Sequence, residues 1–245
     1  MPLLILATSI ALHSKRNRPC TPEEGYIQKT PPKRTLCLAD VRGNVNISNN
    51  TVAIILAAGK SKRLGEPKAL IKLGEKTLIQ FIIERLKRLN LKTIVVTNSN
   101  LVNQIKNSIK SDKITIIIPE NTDYRTGNLI AGLANIKTPE RILVVPIDRP
   151  GWSLKTVKKL LSMNETCCPE FKGKGGHPLL ICNSDIETLI NASRDTPLNS
   201  LFETKRITVD DPELHLNIDT KKDVVKLNRY FEKSDLGLDE SFNKE

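Results

Sequence analysis

Aromatic side chains are scarce in this chain: 4% of 245 residues, with one tryptophan, three tyrosines and five phenylalanines. Hydrophobic residues still make up 39%, so a core must be built from Ile, Leu, Val and Ala. That mix suits buried parallel strands covered by helices better than an aromatic-rich β-sandwich. No apolar run reaches the roughly 20 residues of a transmembrane helix, and no membrane partner is expected. Cysteine is sparse and unpatterned. The five thiols, Cys20, Cys37, Cys167, Cys168 and Cys182, form no CxxC pair, which excludes a disulfide framework and argues against a zinc site. They read as reduced thiols of a cytoplasmic protein.

Charge of one sign is also missing as a block. Lys and Arg outnumber Asp and Glu by 38 to 27, a net charge of +11, but the surplus is spread along the chain. There is no arginine-rich arm, no RNP-like aromatic motif and no zinc-finger spacing. The surplus reads mainly as a solvated surface. A small polyanion such as a nucleotide also fits it, and a nucleic-acid partner is the lesser reading.

Residues 1–50 differ in texture from the rest. A short apolar run ends near Leu12, and basic residues follow it instead of preceding it, unlike a secretory signal. Residues 1–50 are expected to be a disordered extension, residues 51–232 the folded domain and residues 233–245 a flexible tail. From Thr51 strands alternate with helices. Apolar runs at Val52–Ala58, Thr93–Thr97, Ile114–Ile118 and Arg141–Val145 predict buried strands. Between them, helical spacing appears at Leu78–Leu89, Leu101–Ile109 and Gly127–Ile136, and again at Ser153–Met163 with Ser153 as N-cap. A glycine-rich loop, Phe171–Pro178, leads into an apolar run at Leu179–Cys182. Short strands are predicted at Ile207–Val209 and Leu214–Ile218, and a last helix is predicted after Thr220 with Asp223 at its third position. The fold class is α/β, a three-layer α/β/α sandwich with a Rossmann-like, mostly parallel sheet; the later strands extend that sheet and do not form a separate domain.

The loop after the first strand runs Leu56-Ala57-Ala58-Gly59-Lys60-Ser61-Lys62-Arg63-Leu64-Gly65-Glu66-Pro67-Lys68. In an open α/β sheet, ligands sit beyond the carboxyl ends of the strands. Small residues there let backbone N–H groups approach phosphates, and Lys62, Arg63 and Lys68 supply countercharge. The loop is neither a Walker A motif nor GxGxxG. Taken alone, it is equally an ordinary strand-to-helix turn with solvated lysines. Asp148, just past the fourth strand, reads as a turn aspartate or an oxygen ligand for Mg²⁺, and Asp219 as a helix-capping residue or a second ligand.

The segments in series resemble the MobA-like nucleotidyltransferases, and within them the molybdenum cofactor cytidylyltransferase (MocA-like) branch. The first loop resembles the LAAGxSxRxGxxKxL signature. Asn121–Gly127 resembles the family's Asn-containing loop, Pro146–Pro150 its Asp-x-Pro metal loop, Gly175–Pro178 its GHP loop, and Asn217–Asp223 its closing DIDTxxD. Together these cover about residues 51–230. The resemblance implies transfer of an NMP from an NTP, CTP before GTP, to a phosphorylated acceptor such as molybdopterin, with Mg²⁺ and release of pyrophosphate. It implies Arg63, Lys68 and Asp148 as catalytic residues and Asp148 and Asp219 as metal ligands. Leu56, Ala57, Ala58, Gly59, Ser61, Lys62, Arg63, Lys68, Asn121 and Gly127 become the nucleotide-binding set, with His177 and Trp152 on the acceptor side. Ala58 favours cytidylyl transfer, because the guanylyl branch resembles LAGG there.

The chain departs from the pattern at Arg149, where a neutral residue is usual, at Asn217, which replaces the first aspartate of DIDT, and at Gly127-Asn128-Leu129, which replaces a serine-rich segment. The alternatives are a guanylyl or sugar-phosphate nucleotidyltransferase, or a non-catalytic nucleotide or nucleic-acid binder. Monomer and homo-oligomer both remain open.

Overall fold

The computed structural model describes residues 50–109, 111, 114–121, 123–134, 136 and 139–235. Ten strands and six α-helices alternate along these residues. The strands are β1 (Thr51–Leu56), β2 (Lys72–Leu73), β3 (Lys76–Thr77), β4 (Lys92–Val96), β5 (Thr115–Ile117), β6 (Arg141–Pro146), β7 (Cys167–Phe171), β8 (Lys174–Gly175), β9 (Leu179–Cys182) and β10 (Lys205–Thr208). The helices are α1 (Leu78–Arg88), α2 (Val102–Ile109), α3 (Arg125–Leu133), α4 (Leu154–Leu161), α5 (Ser184–Asn191) and α6 (Lys221–Asp235).

The main sheet has the order β10-β7-β9-β6-β1-β4-β5, with β8 paired to β7. The half that comes first in the chain is parallel: β1 pairs with β4 and β6, and β4 with β5. β9 then returns antiparallel to β6, while β10 runs parallel to β7. The expected α/β/α sandwich is therefore present, and the later strands extend the same sheet.

The layering follows from side-chain alternation. Along β1, Ala53 and Ile55 face one apolar cluster while Val52 and Ile54 face the other; on β6, Leu143 and Val145 oppose Ile142 and Val144 in the same way. Continuous apolar runs with period two can be buried on both faces only when helices cover each side. The first face receives Leu86 of α1, Ile105 of α2, Leu160 of α4 and Leu227 of α6. The second receives Leu129 of α3 and Leu189 of α5. Each fully buried Leu, Ile or Val contributes about 1.5–3 kcal/mol.

Chain order sets the place of the site. From β1 the chain moves outward to β4 and β5, then crosses back to β6 on the opposite side of β1. The crevice beyond the carboxyl ends of β1 and β6 is the topological switch point, where ligands of such sheets bind.

Ser153 caps α4, accepting a hydrogen bond from Thr156 N at 3.1 Å, as its position before an amphipathic run predicted. Thr220 precedes α6, and Asp223 accepts from its backbone N–H at 2.8 Å. Leu214–Ile218 is not a strand. Leu214 N donates to Asp211 O and Leu216 N to Glu213 O, giving turns. Gly151 and Gly176 press directly on this segment, so its alternating Leu214, Leu216 and Ile218 reach the core from a turn and not from a sheet edge. Helix α3 begins at Arg125, ahead of the expected Gly127, and α6 continues past 232 to Asp235. The extension expected over the first 49 residues and the tail beyond 235 lie outside the described residues.

Candidate active site

The bend after β1 is built around Ser61. Its backbone is in the left-handed region, with φ 47°, and its carbonyl accepts from both Leu64 N and Gly65 N. Its hydroxyl accepts from Lys68 N at 3.3 Å. Leu64, buried in the core, pins the far side of the bend, so the cations at its tip stay in water while Lys68 turns inward. At the start of the loop, Ala57 N continues the sheet to Val96 O at 2.8 Å, and Asn98 Nδ2 donates to Ala58 O at 3.1 Å. Both alanines are buried, and Gly59 stands open with no atom within 4 Å of where a Cβ would sit.

Three distant parts of the chain meet here. Lys68 Nζ lies 3.4 Å from Asp148 Oδ2 and 2.9 Å from Asp219 Oδ1, and Arg63 reaches Asp219 Oδ1 at 3.1 Å. Lys68 is 14% exposed at its side chain and the two aspartates 23% and 20%, whereas Arg63 is 76% exposed. The first three therefore form a half-sheltered cluster, and the guanidinium is an exposed charge at its rim. Backbone pairing holds the two acidic segments together: Ile218 N donates to Asp148 O at 3.0 Å. Asn217 Nδ2 donates to Asp219 Oδ2 at 2.6 Å. The hydrogen bond from Lys68 is the main influence holding the Asp219 carboxyl below its ordinary range; burial opposes it, and Asn217 and the charges of Lys68 and Arg63 reinforce it.

Two cavities open over the carboxyl end of the sheet. One, of about 210 Å³, is lined by Ala57, Ala58, Gly59, Ser61, Lys68 and Asp148, among others. The second, of about 850 Å³, is lined by His177, Gly176, Tyr124, Phe202 and Arg206 among others, and shares Leu56, Asp123, Arg125 and Pro146 with the first. His177 thus lies on the wall of the larger cavity. Burial, and then the charges of Arg149 and Arg125, push its pKa down to about 4 against a smaller opposing effect of Asp148. At neutral pH the ring is uncharged.

Four candidates take up other places. Trp152 does not line either cavity: it is fully buried, its ring stacked under the Arg85 guanidinium with 4.1 Å from cation to centroid. An acceptor has no access to it. Gly127 is inside α3, donating its N–H to Arg194 O at 3.0 Å, and a Cβ there would stand 3.1 Å from Arg194 Cβ. Its glycine character serves helix packing. Asn121 accepts from Asp123 N at 2.8 Å and organises the turn from an exposed position. Lys62 is exposed at the tip of the bend, outside both linings.

From this stretch, Asp123, Arg125 and Asn128 line the smaller cavity, and Asp123, Tyr124, Arg125 and Thr126 the larger. The sequence signal for them was a cluster of polar residues at the amino end of a helix, on the ligand side of the sheet. Arg85 was also missed. Buried on α1, it donates to the carbonyls of Pro150 and Trp152, the former at 3.2 Å, and so clamps the loop that begins with Asp148.

The profile of a family described as the MobA-like NTP transferase domain matches residues 53–209, well over half of the chain. The chain belongs to that family. Among curated relatives, the bifunctional protein GlmU of Buchnera aphidicola is 30% identical over 111 residues, 44% of this chain. The match spans only 24% of GlmU, about a quarter of that protein's length. Among solved structures, Rv0371c from Mycobacterium tuberculosis H37Rv superposes with a TM-score of 0.64 at 18% identity, covering 74% of this chain and 98% of that one. A manganese complex of the same mycobacterial protein superposes with a TM-score of 0.62 at 17% identity, over 74% of this chain and 98% of that one. A 4-diphosphocytidyl-2C-methyl-D-erythritol synthase from Anaerococcus prevotii covers 77% of this chain and 98% of its own, with a TM-score of 0.59 at 17% identity. At these identities the structural likeness is one of fold.

Proposed function

We propose that this chain is a nucleotidyltransferase that moves an NMP from an NTP to a phosphorylated small molecule, with CTP as the preferred donor and molybdopterin the leading acceptor. The observation that carries this reading is the Lys68 ammonium set between Asp148 and Asp219, at 3.4 and 2.9 Å, beside the phosphate-sized opening of the Ala57–Gly59 backbone. A pure nucleotide binder needs the cations but not two carboxylates held opposite them.

The donor set fits a hard divalent cation such as Mg²⁺. It offers two carboxylates, together with an Asn217 Oδ1 that is buried without a hydrogen-bond partner among the described residues. Mg²⁺ is commonly held by one or two carboxylates plus phosphate oxygens. Asp148 and Asp219 would hold the ion, and when bound it screens the triphosphate and the pentavalent charge at the α-phosphorus.

The protein residues do the rest by placement and charge. The Ala57–Gly59 backbone would receive the nucleotide, and Lys68, half-sheltered beside both aspartates, would add countercharge to its phosphates. Arg63, exposed and tethered by a single contact, swings onto the β- and γ-phosphate oxygens in a bidentate geometry. An acceptor phosphate oxygen, already anionic, forms a bond to the α-phosphorus as the α–β bridging bond breaks, and pyrophosphate leaves with that electron pair. No proton is transferred, so no general base is needed. Preorganised charge is the main catalytic device.

The preference for CTP rests on Ala58, with support from a structural neighbour whose name carries a diphosphocytidyl group. Pyrophosphate release from each of the four NTPs, with Mg²⁺ or Mn²⁺ and with molybdopterin, tests both assignments. Turnover with CTP and molybdopterin that is abolished by Asp148→Asn is the expected result. Turnover indifferent to Asp148→Asn overturns the metal assignment, and turnover only with GTP or a sugar phosphate moves the chain to another branch.

A further inference from the structure

The backbone that lines the smaller cavity is held from outside it. Ala57, Ala58 and Gly59 border that cavity; Thr97 and Asn98, at the carboxyl end of β4, do not. Yet both reach across to the same stretch. Thr97 Oγ1 donates to Ala57 O at 3.3 Å, and Asn98 Nδ2 donates to Ala58 O at 3.1 Å. Each of these carbonyls shares a trans peptide plane with the N–H of the next residue, and the two dipole ends point opposite ways. Carbonyls drawn toward Thr97 and Asn98 therefore turn the N–H groups of Ala58 and Gly59 to the other side of the chain. Those two N–H groups donate to no acceptor among the described residues. Ala58 is buried, and a sheltered backbone donor left unpaired by the protein calls for an acceptor from elsewhere.

Asn98 is itself fixed. Its Oδ1 accepts from Asn100 N at 3.0 Å and from Leu101 N at 3.1 Å, and its carbonyl accepts from Leu101 N and Val102 N, both at 3.2 Å. With the side-chain oxygen engaged by two N–H groups, the amide presents its NH₂ to Ala58 O. The neighbouring Thr97 is fully buried, and its own N–H pairs with Ile117 O at 3.0 Å. The end of β4 is thus a fixed pair of donors behind the loop.

We propose that Asn98, seconded by Thr97, is a positioning residue for nucleotide binding: the pair holds the Ala57 and Ala58 carbonyls and so aims the N–H groups of Ala58 and Gly59 at acceptor oxygens of the nucleotide. Consecutive N–H groups pointing one way make a concavity that favours anionic oxygen. Released from Asn98, the Ala58–Gly59 peptide can turn over, and a carbonyl facing the opening repels the same oxygens. The side chains of Thr97 and Asn98 act through the loop and never touch the ligand. The proposal rests on the nucleotide reading of this opening.

The test is calorimetric titration of the full chain with Mn²⁺ and CTP, or whichever NTP the wild type binds best, together with amide hydrogen exchange followed by NMR. Asn98→Asp keeps the oxygen that serves Asn100 N and Leu101 N but loses the donor to Ala58 O; Asn98→Leu loses both and adds no charge. Both are expected to weaken nucleotide binding about fivefold or more and Thr97→Val about twofold. Asn100→Ala, at an exposed position of the same turn, leaves affinity unchanged. In the wild type, nucleotide is expected to slow exchange at Ala58 N and Gly59 N, an effect that a merely structural role for Asn98 does not produce. Wild-type affinity in both Asn98 variants, or nucleotide binding that protects neither amide, overturns the proposal. So does weakening confined to one variant: in Asn98→Asp it reports the new charge, and in Asn98→Leu the lost turn before α2. A wild type that binds no NTP overturns the nucleotide reading, and this proposal with it. Should Asn98→Leu lose cooperative unfolding, Asn98→Asp is compared with wild type at low and high ionic strength: a loss that persists in high salt supports the proposal, and one that vanishes is a charge effect and overturns it.

Discussion

The two loops that form the crevice are opposites in construction. The loop after β1 is open: Lys60, Lys62 and Arg63 stand in water, and a Cβ at Gly59 or Gly65 would meet nothing within 4 Å. The loop after β6 is locked. Arg85 holds its carbonyls from below, Trp152 fills the core beneath it, and a Cβ at Gly151 would stand 1.9 Å from Glu213 O. One loop is shaped to receive a ligand and the other to hold a carboxylate still. Catalysis by placement requires both, since a charged donor that closes on a substrate is useful only against a fixed partner.

Substitutions can break this contrast, and the largest effect is expected at the locked loop. Gly151→Ala forces a methyl group into backbone that cannot yield, so a loss of about 4 kcal/mol or failure to fold is expected, read by urea unfolding. Asp148→Asn keeps the shape of the loop but removes a charge from the Lys68 cluster. NTP-dependent pyrophosphate release should fall about 100-fold or more, with the unfolding midpoint little changed. Arg85→Met leaves Pro150 O without its guanidinium donor and ends the stacking on Trp152, a loss of about 2 kcal/mol. If the locked loop serves Asp148, the same variant also lowers turnover at saturating nucleotide.

His177 sharpens the comparison through pH. Its folded pKa, about 4, is depressed from 6.5, so the unfolded chain takes up the proton first as pH falls. The stability contribution is complete above pH 6.5 and is lost progressively toward pH 4. His177→Gln should flatten that part of the stability profile, as measured by unfolding at pH 7 and pH 5. The smallest effect belongs to the open loop: Gly59→Ala should change stability by less than about 0.5 kcal/mol. A fall in nucleotide affinity in that variant would then report how closely the backbone approaches the ligand.

Much of the fold was legible because its signals are local. The apolar runs of β1, β4 and β6 bury both faces, and the Ser153 cap sits where an amphipathic pattern begins. The MobA-like resemblance was carried by one contiguous loop and short motifs in order, and the family assignment over residues 53–209 bears it out. The later half was harder to read. β7 carries Pro169 and no continuous apolar run, and α5 follows β9 through the single residue Asn183, whose φ of 46° marks the turn without any glycine. Leu214–Ile218 alternates like a strand, yet Leu214 packs against Gly176, and Leu216 with the preceding Glu213 carbonyl against Gly151.

At the site, Arg63, Lys68, Asp148 and Asp219 were found as residue types in family order, and the structure brings all four within one cluster. That Trp152 and Gly127 lie outside both cavities could not be read from the chain, because burial is invisible in a motif. A tryptophan beside a functional loop reads the same whether it faces a cavity or, as here, lies beneath a buried arginine. Arg85 was missed for the converse reason, having no motif to announce it, and Arg125 stood inside the Asn121–Gly127 motif without being singled out.

What the chain's linear order determined was the alternation of strands and helices, the cationic bend after β1 and the identity of the charged residues, because periodicity and contiguous motifs are properties of neighbours in sequence. Only the folded state decided which residues share the walls of the two cavities, which aromatic ring is sealed away and which carboxylates share one ammonium. Those outcomes depend on distances between segments as far apart as Lys68 and Asp219, and charge pairing and dehydration act through space, whatever the separation along the backbone.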